Sequence, residues 1–280
     1  MMPNPPIYAP LPSRAVIALA GPDWRSFLQG LITQDVETLG PGEARFAALL
    51  TPQGRLLYDL FVVGREDGAW LDVAAEHRET IIQRLSMYRL RAKVEIAAPD
   101  LPVSARFPAP GEGRDPAGWV ADPRLPELGW RGYGATAPEG VQLADEAAYE
   151  AHRLAVGVPG PADWGADKTY PIEANFDLLD GIDFKKGCFV GQETTSRMKR
   201  RGQVKSRMLP IVFEGPPPAA GAEVVAGELR AGEVLSGGDG RAMAALRLDR
   251  IGGGGLTVDG RPVRVERPAW FAAALGEEVA

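Results

Sequence analysis

The sequence is poor in the residues that most often announce chemistry. Its single cysteine, Cys188, excludes an intramolecular disulfide and any CxxC metal site. With His77 and His152 the only imidazoles, a zinc site of the usual Cys/His kind is excluded as well. No apolar run approaches the ~20 residues that a membrane helix requires, so no membrane partner is expected. Positive charge is short overall: 31 Lys+Arg stand against 37 Asp+Glu, a formal net charge of −6. That balance argues against nucleic acid as a partner. The one basic run, Lys199-Arg200-Arg201, reads most simply as a solvated helix end. The proline-rich start, Met1 to Pro12, has neither a basic n-region nor an apolar h-region. No secretory signal is expected there, and a reducing, cytoplasmic location is the default. The run Gly252–Gly255 lacks the Lys-Ser/Thr of a phosphate loop, and no strand–GxGxxG–helix unit is visible.

What is present is an ordinary globular composition, 45% hydrophobic and 24% charged, over 280 residues. High glycine and proline (34 and 25) favour a loop-rich or β-rich architecture. From Val16 to Ala97 strands and helices mix: strands at Val16–Leu19, Ala44–Leu50, Leu56–Val63, Ala69–Ala74 and Lys93–Ala97. Two helices accompany them. One opens at Asp23 as N-cap, with Trp24, Phe27, Leu28 and Leu31 at helical spacing; the other runs from Glu76 to Leu90 with Ile81, Ile82, Leu85 and Tyr88 on one side. This is an α+β layer, helices on one face of a sheet. Short β pieces at Gly118–Ala121 and Leu128–Gly132 precede a helix at Asp145–Val156. The Gly/Pro-rich stretch Gly157 to Lys168 is the candidate mobile loop. A short helix follows at Gly191–Arg201. Beyond Gln203, evenly spaced short strands predict a small β-barrel or sandwich. The expected division is 1–100, 101–204 and 205–280.

Cys188 stands between Lys185-Lys186-Gly187 and Gly191, just before a helix start. Nearby positive charge and a helix N-terminus favour thiolate over thiol, and the glycines permit a tight turn and close approach. A buried, inert thiol and a functional one are about evenly weighted on these residues. A protease-like nucleophile needs a histidine partner, and neither His77 nor His152 stands in a recognisable motif. One cysteine cannot hold a four-thiolate cluster; it could share a cluster with a partner's ligands or carry sulfur transiently. In Tyr170–Asp177, Glu173 follows a proline among apolar residues and is either a solvated loop acid or a carboxylate facing a pocket. Asp59 sits inside the strand Leu56-Leu57-Tyr58-Asp59-Leu60-Phe61, where acids are disfavoured. Alternation puts it with Leu57 and Phe61, on a solvated face or in a functional cavity.

The stretch Lys186-Gly187-Cys188-Phe189-Val190-Gly191-Gln192-Glu193 resembles the K-G-C-[FY]-x-G-Q-E signature of the folate-binding YgfZ/GcvT family and matches all six fixed positions. Further matches are Phe27 to Val36, Thr51-Pro52-Gln53-Gly54-Arg55 with Asp59, and Pro171 to Asp177 leading into Gly181-Ile182-Asp183-Phe184. The last is most similar to the branch that contains the mitochondrial iron–sulfur assembly factor. The resemblance implies an α+β, three-domain cloverleaf around a central channel, as in the glycine-cleavage T-protein, with a C-terminal β-barrel. It implies tetrahydrofolate as cofactor, with Glu173 at the pterin-binding position and Asn175, Lys186, Gln192, Glu193 and Arg197 around the ligand or the thiol loop. It further implies iron–sulfur assembly proteins and client enzymes as partners, with Cys188 as the functional thiol and a possible ligand to a transient shared cluster. The alternative it carries is a tetrahydrofolate-dependent aminomethyltransferase or demethylase. Asp59 falls beside the T-protein's acidic pair, but Tyr58 occupies the second acid's place, which favours an accessory role over catalysis.

Overall fold

A computed structural model describes residues 5–107, 118–202, 204–238 and 240–276. Met1–Asn4, the middle of the 99–138 stretch and Gln203 lie outside the described residues. A first antiparallel sheet has the order Ala44–Leu50, Leu56–Arg65, Gly68–Ala74, Arg14–Ala20, Glu95–Ala97. Period-2 alternation gives Leu60 and Val62 to one face. There they share a core with Ile17 and Leu71, closed by Trp24, Phe27 and Leu28 of the helix Trp24–Gln29 and by Ile81 and Leu85 of Arg78–Arg89. The opposite face carries Asp59 and Phe61 inward toward the rest of the molecule.

Three expectations need correction in this lobe. Asp23 does stand before the first helix, but its carboxylate accepts from the Lys93 backbone N–H at 2.7 Å rather than capping its own helix. That helix stops at Gln29, leaving Leu31 buried in a turn. The second helix begins as a 3-10 turn, Ala75–His77, while Tyr88, 39% exposed, stands on the expected side beside Leu85, Leu31 and Val190.

A second sheet runs Gln142–Leu143, Ile7–Pro10, Val103–Phe107, Trp130–Tyr133, Trp119–Ala121. Its second strand comes from the start of the chain, with Ile7 opposite Phe107. Leu128, expected within a strand, instead lies buried in the 3-10 turn Pro126–Leu128. The helix Glu146–Val156 is capped by Asp145, which accepts from the Ala148 N–H, and it lays Tyr149 against Phe107. Gly157 ends it at φ 80°, where a Cβ would meet Pro268 at 2.3 Å. Only glycine allows that approach to the C-terminal segment.

The expected mobile loop, 157–168, is pinned. Within it the short helix Pro161–Trp164 buries Trp164 edge-on to Phe176 at 5.4 Å, and Asp163 binds Arg153, the Gly160 N–H and the Ser236 hydroxyl. Gly and Pro here shape a turn around buried anchors, so composition misled the mobility expectation.

The third part is a closed barrel in the order Ser206–Phe213, Arg241–Arg247, Leu229–Gly238, Glu223–Ala226, Leu256–Val258, Arg261–Val265. Closure leaves no unpaired edge. Leu209, Ile211, Val224, Val234 and Leu246 fill it, and the helix Ala269–Leu275 adds Phe271 to the same core. Among the described residues no helix is long and apolar enough to cross a membrane.

Candidate functional site

Cys188 lies exposed on a loop held on both sides. Upstream, the Asp183 carboxylate accepts from the N–H groups of Lys185 and Lys186 at 2.7 and 3.2 Å, folding the chain into a tight turn. The Lys186 ammonium is buried and donates to the carbonyls of Ile32 and Gln34 at 2.8 and 2.7 Å. Burial pushes it down to about 8, against the pull of Asp35, Asp183 and Glu37. Downstream, Phe189 enters the core around Phe46 and Phe176, while Val190 packs on the first-lobe core. The Val190 N–H donates to Gly30 O. The loop is therefore clamped at both ends on the segment Gly30–Gln34, with Gly187 and Cys188 projecting between the clamps.

A third motif supports the same loop. Gly191 has φ 83°, and a Cβ there would meet Thr51 O at 2.6 Å; a Cβ on Gly54 would meet Thr194 at 2.9 Å. The turn Thr51–Gly54 and the start of the helix Gln192–Arg201 thus interlock through two glycines. Thr33 ties in the remaining motif: its hydroxyl donates to Gly181 O at 2.6 Å and accepts from the Ala48 N–H. The stretches 27–36, 51–55, 181–184 and 186–193 form one assembly whose exposed product is Cys188. The downstream residues face outward. Glu193 and Arg197 pair with each other at 2.6 Å on the solvent side, and Gln192, half-buried, opens the helix through its N–H bond to Phe189 O. Lys199 and Arg200 are exposed, as a solvated helix end would be.

Asp59 lies neither on a solvated face nor in an open cavity; it is 4% exposed. Its carboxylate accepts from Arg14 at 2.9 Å, and Arg14 also binds Asp72 at 2.6 Å. Asp72 in turn accepts from Arg131 at 2.6 Å and from the Tyr133 hydroxyl at 3.0 Å. Arg131 and Arg124 share Asp122 and the Tyr149 hydroxyl. Phe61 is sandwiched within, its ring centroid 3.7 Å from the Arg131 guanidinium. Burial pushes the Asp72 and Asp122 carboxyls up, but the surrounding guanidiniums outweigh it and hold both below the ordinary carboxylate range. The second acid near Asp59 is Asp72 on the adjacent strand, while Tyr58 turns to the other face, its ring tilted against His77 with centroids 5.0 Å apart. Both acids are neutralised by arginine, and the network joins the first sheet to the second.

Sequence reasoning missed Arg14, Asp72, Asp122, Arg124 and Arg131. The signal that flagged Asp59, a charge inside an apolar strand, was equally present at Asp72 between Leu71 and Val73. His152 is structural: its Nε2 lies 2.8 Å from Glu127 O and its ring stacks on Phe107.

Glu173 is half-buried and lines a groove of about 440 Å³ between 162–169 and the barrel, with Trp164, Lys168 and Arg207. One of its oxygens accepts from the Tyr170 N–H at 3.0 Å. Arg207 is held by Asp177 and Ile172 O, yet its Nε is buried with no hydrogen-bond partner. Asn175 is fully buried at φ 63°. Its amide donates to Met208 O at 2.7 Å and accepts from Arg207, tying this turn to the barrel. Of the residues expected around a folate, Glu173 is the one that stands at this groove; Asn175 and Lys186 are bonded within the protein, and Glu193 and Arg197 to each other.

The architecture has a solved counterpart. The glycine cleavage system aminomethyltransferase T from Bartonella henselae superposes with a TM-score of 0.77, covering 95% of this chain and 86% of that one, at 18% identity. That likeness shows the fold. Residues 205–273 match the model for the CAF17 C-terminal beta-barrel domain. In sequence, the iron–sulfur cluster assembly factor IBA57, mitochondrial, of Mus musculus is 33% identical over 87% of this chain and 78% of its own length. The human protein of the same name is 32% identical over 75% of this chain and 67% of its own.

The chain belongs to the IBA57 family.

A homologue of that name in Neurospora crassa is 31% identical over 74% of this IBA57-family chain, which spans 54% of the fungal protein. The branch expected from the motifs is thus the branch found. These relatives are named mitochondrial, so the cytoplasmic location expected from the sequence draws no support from them. On the shared aminomethyltransferase-like fold, this IBA57-family member carries its single cysteine exposed on the 186–193 loop.

Proposed function

We propose that this chain is an accessory factor in iron–sulfur cluster assembly, acting with assembly proteins and client enzymes through Cys188. The observation that carries this reading is the presentation of the chain's single thiol at an exposed position clamped on both sides by Lys186, Phe189 and Val190. The relatives' names point the same way. One thiolate cannot complete the ligand set of a cluster, so the cluster is cargo whose other ligands come from a partner. The transferase alternative finds less support, because Asp59 and Asp72 are both consumed by Arg14 and Arg131. In a strain lacking its own family member, Cys188→Ser is expected to fold but not to restore the function of [4Fe–4S] enzymes. Full restoration by that variant would sink the thiol's role.

Tetrahydrofolate fits the Glu173 groove in chemical kind. The carboxylate suits the N–H edge of a pterin, and the exposed Lys168 suits an anionic tail. When bound, a reduced folate supplies a carrier of one-carbon units. Titration with tetrahydrofolate is expected to raise the melting temperature of the wild-type chain, and Glu173→Ala to remove the effect. No shift at saturating ligand counts against folate binding and leaves the thiol reading standing.

A further inference from the structure

The helix Arg78–Arg89 ends in a way that costs the fold twice. Met87, Tyr88 and Leu90 are 67%, 39% and 89% exposed. Leu90 also closes the helix at φ 43°, where glycine is the usual residue. Met87 and Leu90 add nothing to packing, since Ile81 and Leu85 supply the buried face and Tyr88 borders it. A strained residue that is also an exposed hydrophobe points to a role outside folding.

The helix tip adjoins the thiol loop. Tyr88 and Arg84 line a crevice with Leu31, Leu50 and Val190, and Val190 stands two residues after Cys188. Charge there is mainly positive: the stretch 84–93 carries Arg84, Arg89, Arg91 and Lys93, against Asp23 at the Lys93 N–H and Glu95 just beyond. Arg89, Arg91 and Lys93 are exposed. The whole chain is acidic, at −6. An acidic partner is therefore repelled by the molecule at large and drawn to this face.

We propose that Met87, Tyr88 and Leu90, with the cations of 84–93, form the docking surface for the protein partner that meets Cys188. The partner presents an apolar spot rimmed by carboxylates. This rests on the reading of Cys188 given above. A membrane is a poorer occupant, because the helix has 12 residues and turns its apolar face inward. A second copy is poorer too, because two-fold pairing would set the same cations against each other.

The test measures binding of a purified, cluster-loaded, acidic iron–sulfur carrier protein under anaerobic conditions, together with thermal unfolding of each variant. Leu90→Gly relieves the positive φ, so it is expected to raise the melting temperature while weakening carrier binding about tenfold. No structural role would produce those opposite signs. Met87→Ser, at an exposed site, is expected to weaken binding with the fold unchanged. The double variant Arg89→Glu/Arg91→Glu is expected to weaken it and flatten its salt dependence. Wild-type affinity in all these variants, or no carrier binding by the wild-type chain, overturns the proposal. So does carrier binding left intact while the variants lose binding to phosphatidylglycerol/phosphatidylcholine vesicles, or lose a concentration-dependent dimer. Cys188→Ser is run in parallel. If it blocks cluster transfer while the tip variants behave as wild type, only the docking surface falls; if it too transfers clusters normally, the role of the thiol falls and the iron–sulfur reading stands.

Discussion

Two of the buried polar assemblies in this molecule, those around Asp59 and Cys188, end differently. Around Asp59, the charges of Arg14, Arg124 and Arg131 meet those of Asp59, Asp72 and Asp122, and each carboxylate accepts from at least one guanidinium. Around Cys188, one buried ammonium and a few backbone groups hold a loop whose apex faces outward. The first closes on itself and joins two sheets; the second spends its bonds on making one side chain available. Buried polarity by itself therefore does not mark a site. What separates the two is whether the network leaves a reactive group at its end.

The comparison predicts opposite costs on mutation. Asp72→Ala leaves Arg14 and Arg131 without their shared carboxylate in a dry interior. Breaking such a pair from one side typically costs about 3–5 kcal/mol. A fall of that size in urea-unfolding stability is expected, the largest of any variant discussed. A loss below about 1 kcal/mol, within the range of exposed ion pairs, would mean that water reaches the network and that Asp59 stands in an open cavity after all.

Lys186 gives a second, smaller effect with a sign. Its folded value of about 8 lies below the 10.5 of an ordinary lysine. Between those values the unfolded chain holds the proton more tightly than the folded one, so the Lys186 contribution to stability rises with pH across that window and is flat below it. Lys186→Met removes the titrating group and also leaves the Ile32 and Gln34 carbonyls without their donor, at a cost of about 1–3 kcal/mol. Melting temperatures of both proteins from pH 7 to 10.5 check this. The difference between them should widen as pH rises above about 8, and parallel curves would place the ammonium in water.

Much of this was legible in the sequence, and the misses have physical causes. Strand alternation at 56–63, the helix at 145–156 and the barrel strands were readable because their periods are local. The thiol loop was readable as a motif, but its mechanics were not. Lys186 looked like a charge beside Cys188, whereas its ammonium reaches 154 positions back to Ile32 O. The Asp59 network was half visible. A lone acid in an apolar strand signals an unusual environment, but its partner Arg14 lies on another strand and Arg131 on another sheet, a pairing no local pattern contains. The 157–168 segment shows the converse, since glycine and proline there mark tight turns around Asp163 and Trp164.

The smallest effect is the one that sharpens the comparison most. If the loop is a scaffold for its apex, its stability comes from Lys186, Phe189, Val190 and Gly191, and the thiol contributes nothing to packing. Cys188 is exposed and free of disulfide partners. Cys188→Ser should therefore shift unfolding stability by less than about 0.5 kcal/mol, as surface substitutions usually do. A loss above about 1 kcal/mol would place the sulfur in the packing and make this assembly as self-contained as the one around Asp72. An unchanged midpoint beside lost cluster assembly separates function from stability at a single atom, a separation that no substitution in the Arg14–Asp72–Arg131 network can provide.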